Sequence, residues 1–499
     1  MPTGAKISMI ALAVGITSCQ LVSGAGDYTF APAARDDGIT LSWAFQLENQ
    51  DTFSVTSLFA VADAAVVMGH YSQSLIFDDR VGDADSKKIN AMGDEDGFVF
   101  VAGPGLTPAP TGIQGSNATI VRPQAIAFVS ETHALVAGVV DGTLVDDPTG
   151  NTGQSIFVSL FGPEGSDYAR IFPAPTGEVV VKDMHIDGVE SAVYVSGYSS
   201  GGIAFSPDTA TTDAQAGFVV KLDLTTLGQQ VSNPVMWARS VDGSGDDRIM
   251  ASVPREDGGV IVYGDYASSL LLGGSDINAP DGGAGSLFLM SLDTDGNAVP
   301  SERFFLESTT GTARAASLAV SDDGRYLIAG DFTGTMKTIS ETPPKVGQRA
   351  LLVAEFEGFD DETYVGWFGD AEGFHTMAGA GYVDDADGGP PLITFAASCV
   401  EGMMFAGEQS RSTTSDLCLG FLGQQDEPGS YAEVAMLRFG DEDPALPEKD
   451  QKPVALVTQG TNAIIYGSFE GSLLDDVFVN NKTAVEDGFV MSLDFAPQP

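Results

Sequence analysis

A glycine near the end of a short apolar strand recurs along this chain at nearly constant spacing. The best copy is SDDGRYLIAGDFTG, which begins at Ser321 and contains an Asp-Gly turn, an apolar run and Gly330. The recurring positions are Gly69, Gly138, Gly197, Gly264, Gly330, Ala397 (a degenerate copy) and Gly467. Their successive gaps are 69, 59, 67, 66, 67 and 70 residues. Such a period is much longer than one coil of a solenoid and indicates a repeated supersecondary unit.

Two further markers share this period. The tryptophans are Trp43, Trp237 and Trp367, and their separations of 194 and 130 residues are close to three and two periods. An apolar strand with an early aromatic, such as GFVVKLD or GFVMSLD, recurs at Phe98, Phe157, Phe218, Phe288 and Phe489. Because three independent markers keep one register, we infer that the repeat is real.

Each repeat contains signals for four strands and shows no helical periodicity. A short apolar run such as ASLAV leads through an Asp/Gly-rich turn to the second strand, RYLIAGDF. A longer loop precedes the third strand, and a further turn such as DTDG leads to the fourth. We therefore predict an all-β fold, a seven-bladed β-propeller with four antiparallel strands per blade. The glycine is expected to let the second strand bend where the sheet twists.

The two ends of the repeat predict how the ring closes. The stretch ITLSWAF, Ile39 to Phe45, has the pattern of a fourth strand, and DGFVMSLD, Asp487 to Asp494, has that of a third strand. We expect the N-terminal strand to complete the last blade and so to leave no free edge. Residues 39–499 then form a single propeller domain with a period of about 66 residues.

The first 19 residues predict export. Lys6 precedes a short apolar run, Ile7 to Ile16, and small residues follow, which is the pattern of a secretory signal and is too short to span a membrane. The stretch ITSC, which ends at Cys19, resembles the bacterial lipobox. By that resemblance, cleavage makes Cys19 a lipid-modified N-terminus.

This resemblance implies a location. Two or three acyl chains anchor a protein stably, whereas one barely does. Gln20 is not the aspartate that often retains bacterial lipoproteins at the inner membrane, so the outer membrane or cell surface is favoured. Residues 20–38 are interpreted as a flexible tether. An ordinary secretory signal with an unrelated cysteine is the alternative, and it predicts a secreted protein.

The repeat also resembles a known family. The pattern combines WA at the fourth strand, an Asp-Gly turn, Gly-x-Phe-x-Gly and DGFVxxLD, as in VMWARSVDGSGDD and SLAVSDDGRYLIAGDFTG. It is similar to the propeller repeats called SBBP repeats, which are common in secreted bacterial proteins. The resemblance implies a seven-bladed propeller and a surface location, and it supplies no catalytic residues.

The charge of the chain restricts its partners. Asp and Glu number 69 against 23 Lys and Arg, a formal net charge of −46. Such a surface repels a phosphate backbone, so a nucleic acid is excluded as a partner. A solvated acidic surface, binding of divalent cations and recognition of a cationic partner all stay open.

Clustered carboxylates are candidate calcium ligands, because Ca²⁺ takes about six to eight oxygen ligands in flexible geometry. The strongest candidates lie in DGSGDD and DTDGN, and they are Asp242, Asp246, Asp247, Asp293 and Asp295. Further acidic residues in clusters are Asp370, Glu372, Asp384, Asp385, Asp387, Asp441, Glu442 and Asp443. Turn formation is the alternative role for any one cluster.

Cys399 and Cys418 take places that aromatic residues hold in other repeats. Cys399 corresponds to Phe332, and Cys418 corresponds to Phe218. These two places lie near each other across an antiparallel pair of strands. Both a disulfide, which an exported protein can keep oxidised, and two buried thiols are compatible with this position.

No nucleophile elbow, phosphate-binding loop or metal-binding histidine spacing is present in the sequence. We therefore assign no catalytic residue and predict a non-catalytic cell-surface lipoprotein. It would be held at the membrane through Cys19 and would bind a protein, a glycan or a cation such as Ca²⁺ through its acidic loop face. The alternative is an exported propeller enzyme, a glycoside hydrolase or polysaccharide lyase that uses channel carboxylates.

Overall fold

Strands make up nearly all of the regular structure of this protein. The computed structural model describes residues 40–49, 53–61, 64–78, 87–103, 111–115, 119–130, 133–144, 153–162, 165–174, 177–188, 190–203, 205, 215–229, 233–277, 279–280, 285–337, 346–359, 362–369, 373–384, 389–400, 403–405, 408–409, 415–425, 430–439, 450–473, 478–480 and 487–495. Cys19, the predicted signal peptide and the predicted tether lie outside these residues. Asp223 caps the N-terminus of the short helix α1, Leu224–Leu227, and its side chain accepts the backbone N–H of Thr225 at 2.8 Å.

The strands are numbered in chain order. Those of the first half are β1 (Thr40–Asn49), β2 (Phe53–Val61), β3 (Ala64–Tyr71), β4 (Ser74–Asp78), β5 (Lys87–Asn90), β6 (Asp96–Ala102), β7 (Thr111–Ile113), β8 (Ile120–Ser130), β9 (His133–Gly142), β10 (Gly153–Gly162), β11 (Gly165–Pro173), β12 (Val179–Asp187), β13 (Ala192–Ser199), β14 (Ala216–Asp223), β15 (Val235–Asp242), β16 (Arg248–Pro254), β17 (Val260–Tyr266) and β18 (Leu271–Leu272). Those of the second half are β19 (Ser275–Asp276), β20 (Ser286–Leu292), β21 (Ala298–Thr310), β22 (Ala313–Val320), β23 (Tyr326–Lys337), β24 (Val346–Phe356), β25 (Glu362–Phe368), β26 (Thr376–Val383), β27 (Leu392–Cys399), β28 (Met404–Phe405), β29 (Glu408–Gln409), β30 (Asp416–Gln424), β31 (Tyr431–Phe439), β32 (Gln451–Gln459), β33 (Asn462–Phe469), β34 (Gly471–Leu473), β35 (Phe478–Asn480) and β36 (Asp487–Asp494).

The long strands pair into four-stranded antiparallel units, as the repeat predicts. The unit around Gly330 has the order β22-β23-β24-β25, and the turn from Ser321 to Arg325 joins its first two strands. The other units are β2-β3-β6-β7, β8-β9-β10-β11, β12-β13-β14-β15, β16-β17-β20-β21, β26-β27-β30-β31 and β32-β33-β36-β1. In each unit the recurring glycine, or Ala397, lies on the second strand.

The unit that holds β36 takes its fourth strand from the other end of the chain. Trp43 on β1 lies opposite Ser492 on β36, and Gln46 lies opposite Phe489. The Gln46 side-chain amide also donates a hydrogen bond to the Asp487 carboxylate, at 3.1 Å. The predicted pairing of these two strands is confirmed.

Neighbouring units pack through their first strands. β2 contacts β8, β8 contacts β12, β12 contacts β16, β16 contacts β22, β22 contacts β26, β26 contacts β32, and β32 contacts β2. Apolar side chains fill the space between units, as where Leu327 and Ala329 of one unit pack with Phe395 and Met377 of the next. Antiparallel sheets packed side by side in this way have the architecture of the β-propeller class.

A β-bulge in each first strand explains the recurring glycine. The bulged residues are Thr56, Gln124, Lys182, Met250, Ala316, Ala378 and Val454. A Cβ on Gly264 would lie less than 3.0 Å from the carbonyl oxygen of Arg248, which precedes the bulge, and from the ring of Phe288 on the third strand. The same carbonyl contact arises at Gly69, Gly138, Gly197, Gly330 and Gly467. In these six units the glycine therefore permits close backbone approach at the bulge, and this replaces the strand bending that we expected; in the remaining unit Ala397 takes this place.

In most units a glycine on the second strand lies opposite a phenylalanine on the third. In the unit with Ala397, the phenylalanine is on the second strand and the glycine is on the third. Ala397 lies opposite Cys418, and two residues away Phe395 on the second strand lies opposite Gly420 on the third. A Cβ on Gly420 would overlap the Phe395 ring. Because interiors are close-packed, the displaced ring leaves room only for the small side chains of Ala397 and Cys418.

Some second-to-third-strand connections contain short strands that sequence analysis treated as loops. β4 and β5 extend the sheet beyond β1, and β18 and β19 extend the sheet beyond β15. The end of β23 pairs with β21, where Lys337 lies opposite Glu307. Each of these additions covers the outer edge of the preceding unit, whose backbone groups would otherwise be unpaired.

Candidate functional site

The residue after the recurring glycine is a buried aspartate in two consecutive units. The first is Asp265, which lies opposite Arg248 in the strand register. The Arg248 Nε donates to its Oδ1 at 2.8 Å, and the backbone N–H of Ala315 in the next unit donates to its Oδ2 at 3.1 Å. Burial raises the pKa of Asp265, and the Arg248 guanidinium opposes that rise. Asp265 therefore connects two units.

Asp331 repeats this arrangement one unit later. The Arg349 Nε lies 3.2 Å from its Oδ1, and the backbone N–H of Met377 in the next unit donates to its Oδ2 at 3.4 Å. Burial raises the pKa of Asp331 to about 6, although Arg349 acts in the opposite direction. The Arg349 guanidinium also lies 4.5 Å from the ring centroid of Phe374, a side chain that is 48% exposed.

Lys182 and Arg314 are exposed cations on the first strands that flank Arg248. Within the described part of the chain, neither side chain forms a salt bridge or a hydrogen bond. The Lys182 Nζ lies 5.8 Å from the ring centroid of Tyr198, and the Arg248 Cζ lies 5.9 Å from the same ring. Surrounding protein displaces part of the water around Lys182 and lowers its pKa, and nearby Arg248 lowers it further.

Arg314 acts electrostatically on other charged residues of this region. It lies opposite Asp331 in the strand register and lowers the pKa of both Asp331 and Asp265. It also lowers the pKa of Arg349, for which burial is the larger cause. We call the set Lys182, Arg248, Asp265, Arg314, Asp331 and Arg349 the charged cluster.

The predicted calcium ligands are divided between a turn and a strand connection. Asp293 closes the turn of DTDGN, because its Oδ1 accepts the backbone N–H groups of Asp295 at 3.0 Å and Asn297 at 2.8 Å. Its role is the turn formation named above as the alternative. Within the described residues, no group of three or more His, Cys, Asp or Glu side chains is arranged to hold a metal ion. Calcium binding at Asp242, Asp246, Asp247, Asp293 and Asp295 therefore remains a prediction.

Most of the other acidic clusters lie outside the described residues. Those positions are Asp370, Glu372, Asp385, Asp387, Asp441, Glu442 and Asp443. Asp384 is described, and its backbone N–H donates to the carbonyl of Gly460 at 2.8 Å. This contact uses only the backbone of Asp384.

Asp247 is a fully buried carboxyl that forms no salt bridge with any residue that the structure describes. Its Oδ1 accepts the backbone N–H of Ala267 at 2.9 Å, and its Oδ2 has no hydrogen-bond partner. Burial raises the pKa of Asp247 to about 7, and the nearby carboxylates of Asp242, Asp265 and Asp246 add to the rise. Burial also raises the pKa of Asp242.

Asp247 should make the protein less stable as the pH rises. Because its pKa in the folded state exceeds the unfolded value of about 3.9, its stabilising contribution is complete at acid pH. That contribution is lost as the pH increases through about 7. In the wild type, ionisation of Asp247 should lower the free energy of unfolding by at most about 2.7 kcal/mol between pH 5 and pH 8, and Asp247→Asn should abolish this decrease. Urea denaturation at pH 5 and pH 8 measures this, with Asp246→Asn as the exposed control. Equal pH slopes for wild type and Asp247→Asn would contradict the assignment.

Cys399 and Cys418 are free and buried in the structure, and the disulfide between them remains a prediction. Cys418 lies opposite Ala397, whereas Cys399 lies opposite Asp416, so the two cysteines are diagonal neighbours. The Cys399 Sγ contacts the Met403 Sδ at 2.8 Å. Burial, and next the neighbouring Cys418, raise the pKa of the Cys399 thiol.

Alkylation distinguishes the two states of these cysteines. We expect iodoacetamide to leave both thiols of the native chain from residue 20 unmodified, because both are buried. After denaturation without reductant, both should react, which mass spectrometry detects as two added groups. A denatured chain with no added group would establish the disulfide instead.

The fold and the site together define an all-β protein of the propeller type with a charged cluster on its first, second and third strands. Among the residues that the structure describes, no helix is long and apolar enough to cross a membrane.

Comparisons with known proteins add little beyond this class. No protein-family model matches the chain, and no curated protein matches it. A similar solved structure is the quinohemoprotein alcohol dehydrogenase from Comamonas testosteroni, with 9% identity and a TM-score of 0.41 over 94% of this chain and 78% of that one. Another is a neuraminidase-like protein of A/little yellow-shouldered bat/Guatemala, with 9% identity and a TM-score of 0.35 over 74% of this chain and 94% of that one.

Proposed function

We propose that residues 39–499 form one seven-bladed β-propeller of the SBBP-repeat type, closed by β1. The contacts between first strands support this count. β2, β8, β12, β16, β22, β26 and β32 each contact the next, and β32 contacts β2. Each of these strands begins a four-stranded unit, and the cycle returns to its starting strand.

We further propose that the protein is a non-catalytic, exported scaffold that binds a ligand, with a glycan as the favoured class. It is anchored through Cys19 to the outer membrane or cell surface, after cleavage in front of Cys19 removes residues 1–18, and residues 20–38 act as its tether. The observation that carries the binding function is the pair Lys182 and Arg314. Neither of these exposed cations forms a salt bridge with a carboxylate among the described residues, although acids outnumber bases 69 to 23 in the chain.

The alternative, an exported glycoside hydrolase or polysaccharide lyase, needs two carboxyl groups that can reach a substrate. Asp265 and Asp331 have the raised pKa values that such chemistry uses. Both side chains, however, are buried and already accept a backbone N–H from the next unit. The geometry therefore supports binding better than acid–base catalysis.

Metabolic labelling tests the anchor. The full chain, expressed in a bacterium with an alkyne-bearing palmitate analogue, should incorporate the label and fractionate with membranes. The Cys19→Ser variant should lose the label. Equal labelling of both chains, or of neither, would reject lipidation at Cys19.

A glycan array tests the binding function. The soluble chain from residue 20 should bind a restricted set of glycans at physiological salt and release no reducing sugar from them. An array with no bound glycan would reject glycan binding. Sugar release that Asp331→Asn abolishes would instead establish the enzyme.

A further inference from the structure

We propose that the charged cluster binds the carboxylate or sulfate group of an anionic saccharide. This inference rests on the proposed function and specifies its ligand. The chain as a whole is acidic, whereas this cluster contains four cations and two carboxylates.

The local balance of charge in the charged cluster favours binding of an anion. The cluster contains four cations, Lys182, Arg248, Arg314 and Arg349. Its two carboxylates, Asp265 and Asp331, are buried. One oxygen of each lies against an arginine, and the other accepts a backbone N–H of the next unit. Among the four cations, Lys182 and Arg314 are exposed, and the Arg248 side chain is 26% exposed. Asp246, exposed and close enough to act on Arg248, is a further carboxylate at the rim.

The position of Lys182 at a bulge brings its ammonium group near Arg248. Lys182 is the bulged residue of β12, and a bulge redirects a side chain out of the strand alternation. Its ammonium group lies 5.8 Å and the Arg248 guanidinium 5.9 Å from the centroid of the Tyr198 ring. Desolvation by the surrounding protein lowers the pKa of Lys182, and repulsion from Arg248 lowers it further. An oxyanion between these cations would relieve that repulsion through charge-assisted hydrogen bonds.

Phe374 supplies the reason to choose a saccharide. Arg349 covers one side of its ring at 4.5 Å, and the side chain is still 48% exposed. Sites for small ligands commonly combine aromatic surface with a few placed polar groups. A pyranose ring on Phe374 could direct an acidic substituent toward Arg314, which is electrostatically coupled to Arg349.

The net charge of the chain limits how such a ligand binds. At physiological salt the Debye length is about 8 Å, so the distant carboxylates are largely screened while direct contacts are not. Binding should therefore be measured at about 0.15 M salt.

Calorimetric titration of the soluble chain from residue 20 tests the inference with three probes: an oligogalacturonate, a neutral galactose oligomer of equal length and sodium sulfate. We expect the oligogalacturonate to bind and the neutral oligomer not to bind. Lys182→Gln and Arg314→Gln should each weaken binding about tenfold, the value of one charge-assisted contact. Lys337→Gln is the matched control, because its side chain is 62% exposed and pairs only with Glu307 among the described residues.

Phe374→Ala separates the saccharide from a free anion. It should weaken the oligogalacturonate and leave sulfate unchanged. If sulfate binds as tightly as the oligogalacturonate and Phe374→Ala weakens neither, the site recognises a free anion, and the assignment of a saccharide ligand is wrong.

Two results would overturn the site itself: no binding of either anion, or equal binding by wild type and the Lys182→Gln/Arg314→Gln double variant. If an array glycan still binds the double variant, this inference fails while the proposed function stands. An array without any bound glycan would reject both this inference and the proposed binding of a glycan.

Discussion

Gly264→Ala is expected to destabilise the protein by about 3 kcal/mol or more, the upper range for overpacking a well-packed site. The added Cβ would overlap the carbonyl oxygen of Arg248 and the ring of Phe288. The carbonyl belongs to a bulged strand that also contacts the neighbouring unit, so it cannot move away without disturbing that packing. Relief therefore requires the sheet itself to shift.

Urea denaturation followed by tryptophan fluorescence measures this loss. Gly188→Ala is the matched control, because a Cβ there meets nothing within 4 Å. It should change the free energy of unfolding by less than about 0.5 kcal/mol. A Gly264→Ala protein as stable as Gly188→Ala would show that the bulge does not require glycine.

Glu355→Gln is expected to cost about 3 kcal/mol, because it weakens several charge-assisted hydrogen bonds to a buried carboxylate at once, although Arg325 keeps its ion pair with Asp323. Glu355 is completely buried, and its Oε1 accepts from the Arg325 guanidinium at 2.9 Å, the Tyr382 hydroxyl at 2.9 Å and the Tyr431 hydroxyl at 2.8 Å. Both tyrosines belong to the next unit, so this one carboxylate joins two units.

The pKa values of Tyr382 and Tyr431 reflect the same contacts with Glu355. Burial is the main cause of the raised pKa of Tyr382 and Tyr431, and Glu355 is the next. Both hydroxyls therefore stay protonated and donate to the carboxylate. Scanning calorimetry should give a lower midpoint for Glu355→Gln, whereas the exposed Glu357→Gln control should match wild type. Equal midpoints for the two variants would contradict the network.

The strands and their order could be predicted because the information is local and periodic. The Asp-Gly turn after Ser321 and the apolar run that ends at Gly330 contain a complete hairpin within a few residues. The pairing of β1 with β36 could also be predicted, because ITLSWAF has the pattern of a fourth strand.

The bulges and the charged cluster were missed because they depend on contacts between units. Asp265 and Ala315, for example, are 50 residues apart along the chain. One signal was available in the sequence: the position two residues before the bulge is basic in several units, namely Arg122, Arg248, Arg314 and Lys452. Aligning the repeats by the bulge, and not only by the glycine, would have exposed it.

The cysteines show how a correct alignment can still leave an interaction open. Cys399 and Cys418 do stand where the repeat places them. The exchange of Phe395 and Gly420 between strands accounts for their small size without a covalent bond, and only the paired register reveals it.

Cross-linking of β1 to β36 tests the central claim, a ring of repeated sheets closed by strands from opposite ends of the chain. Ala44 lies opposite Met491, and both pack into one apolar cluster. Opposed residues in an antiparallel pair have Cα atoms about 4.5–5.5 Å apart, within the range of a disulfide. The Ala44→Cys/Met491→Cys protein should form an intramolecular bond on mild oxidation, identified by peptide mapping. The control, Ala44→Cys/Met290→Cys, uses the equivalent third-strand position of another unit and should not. An intramolecular bond in the control, or none in the test protein, would contradict closure of the ring.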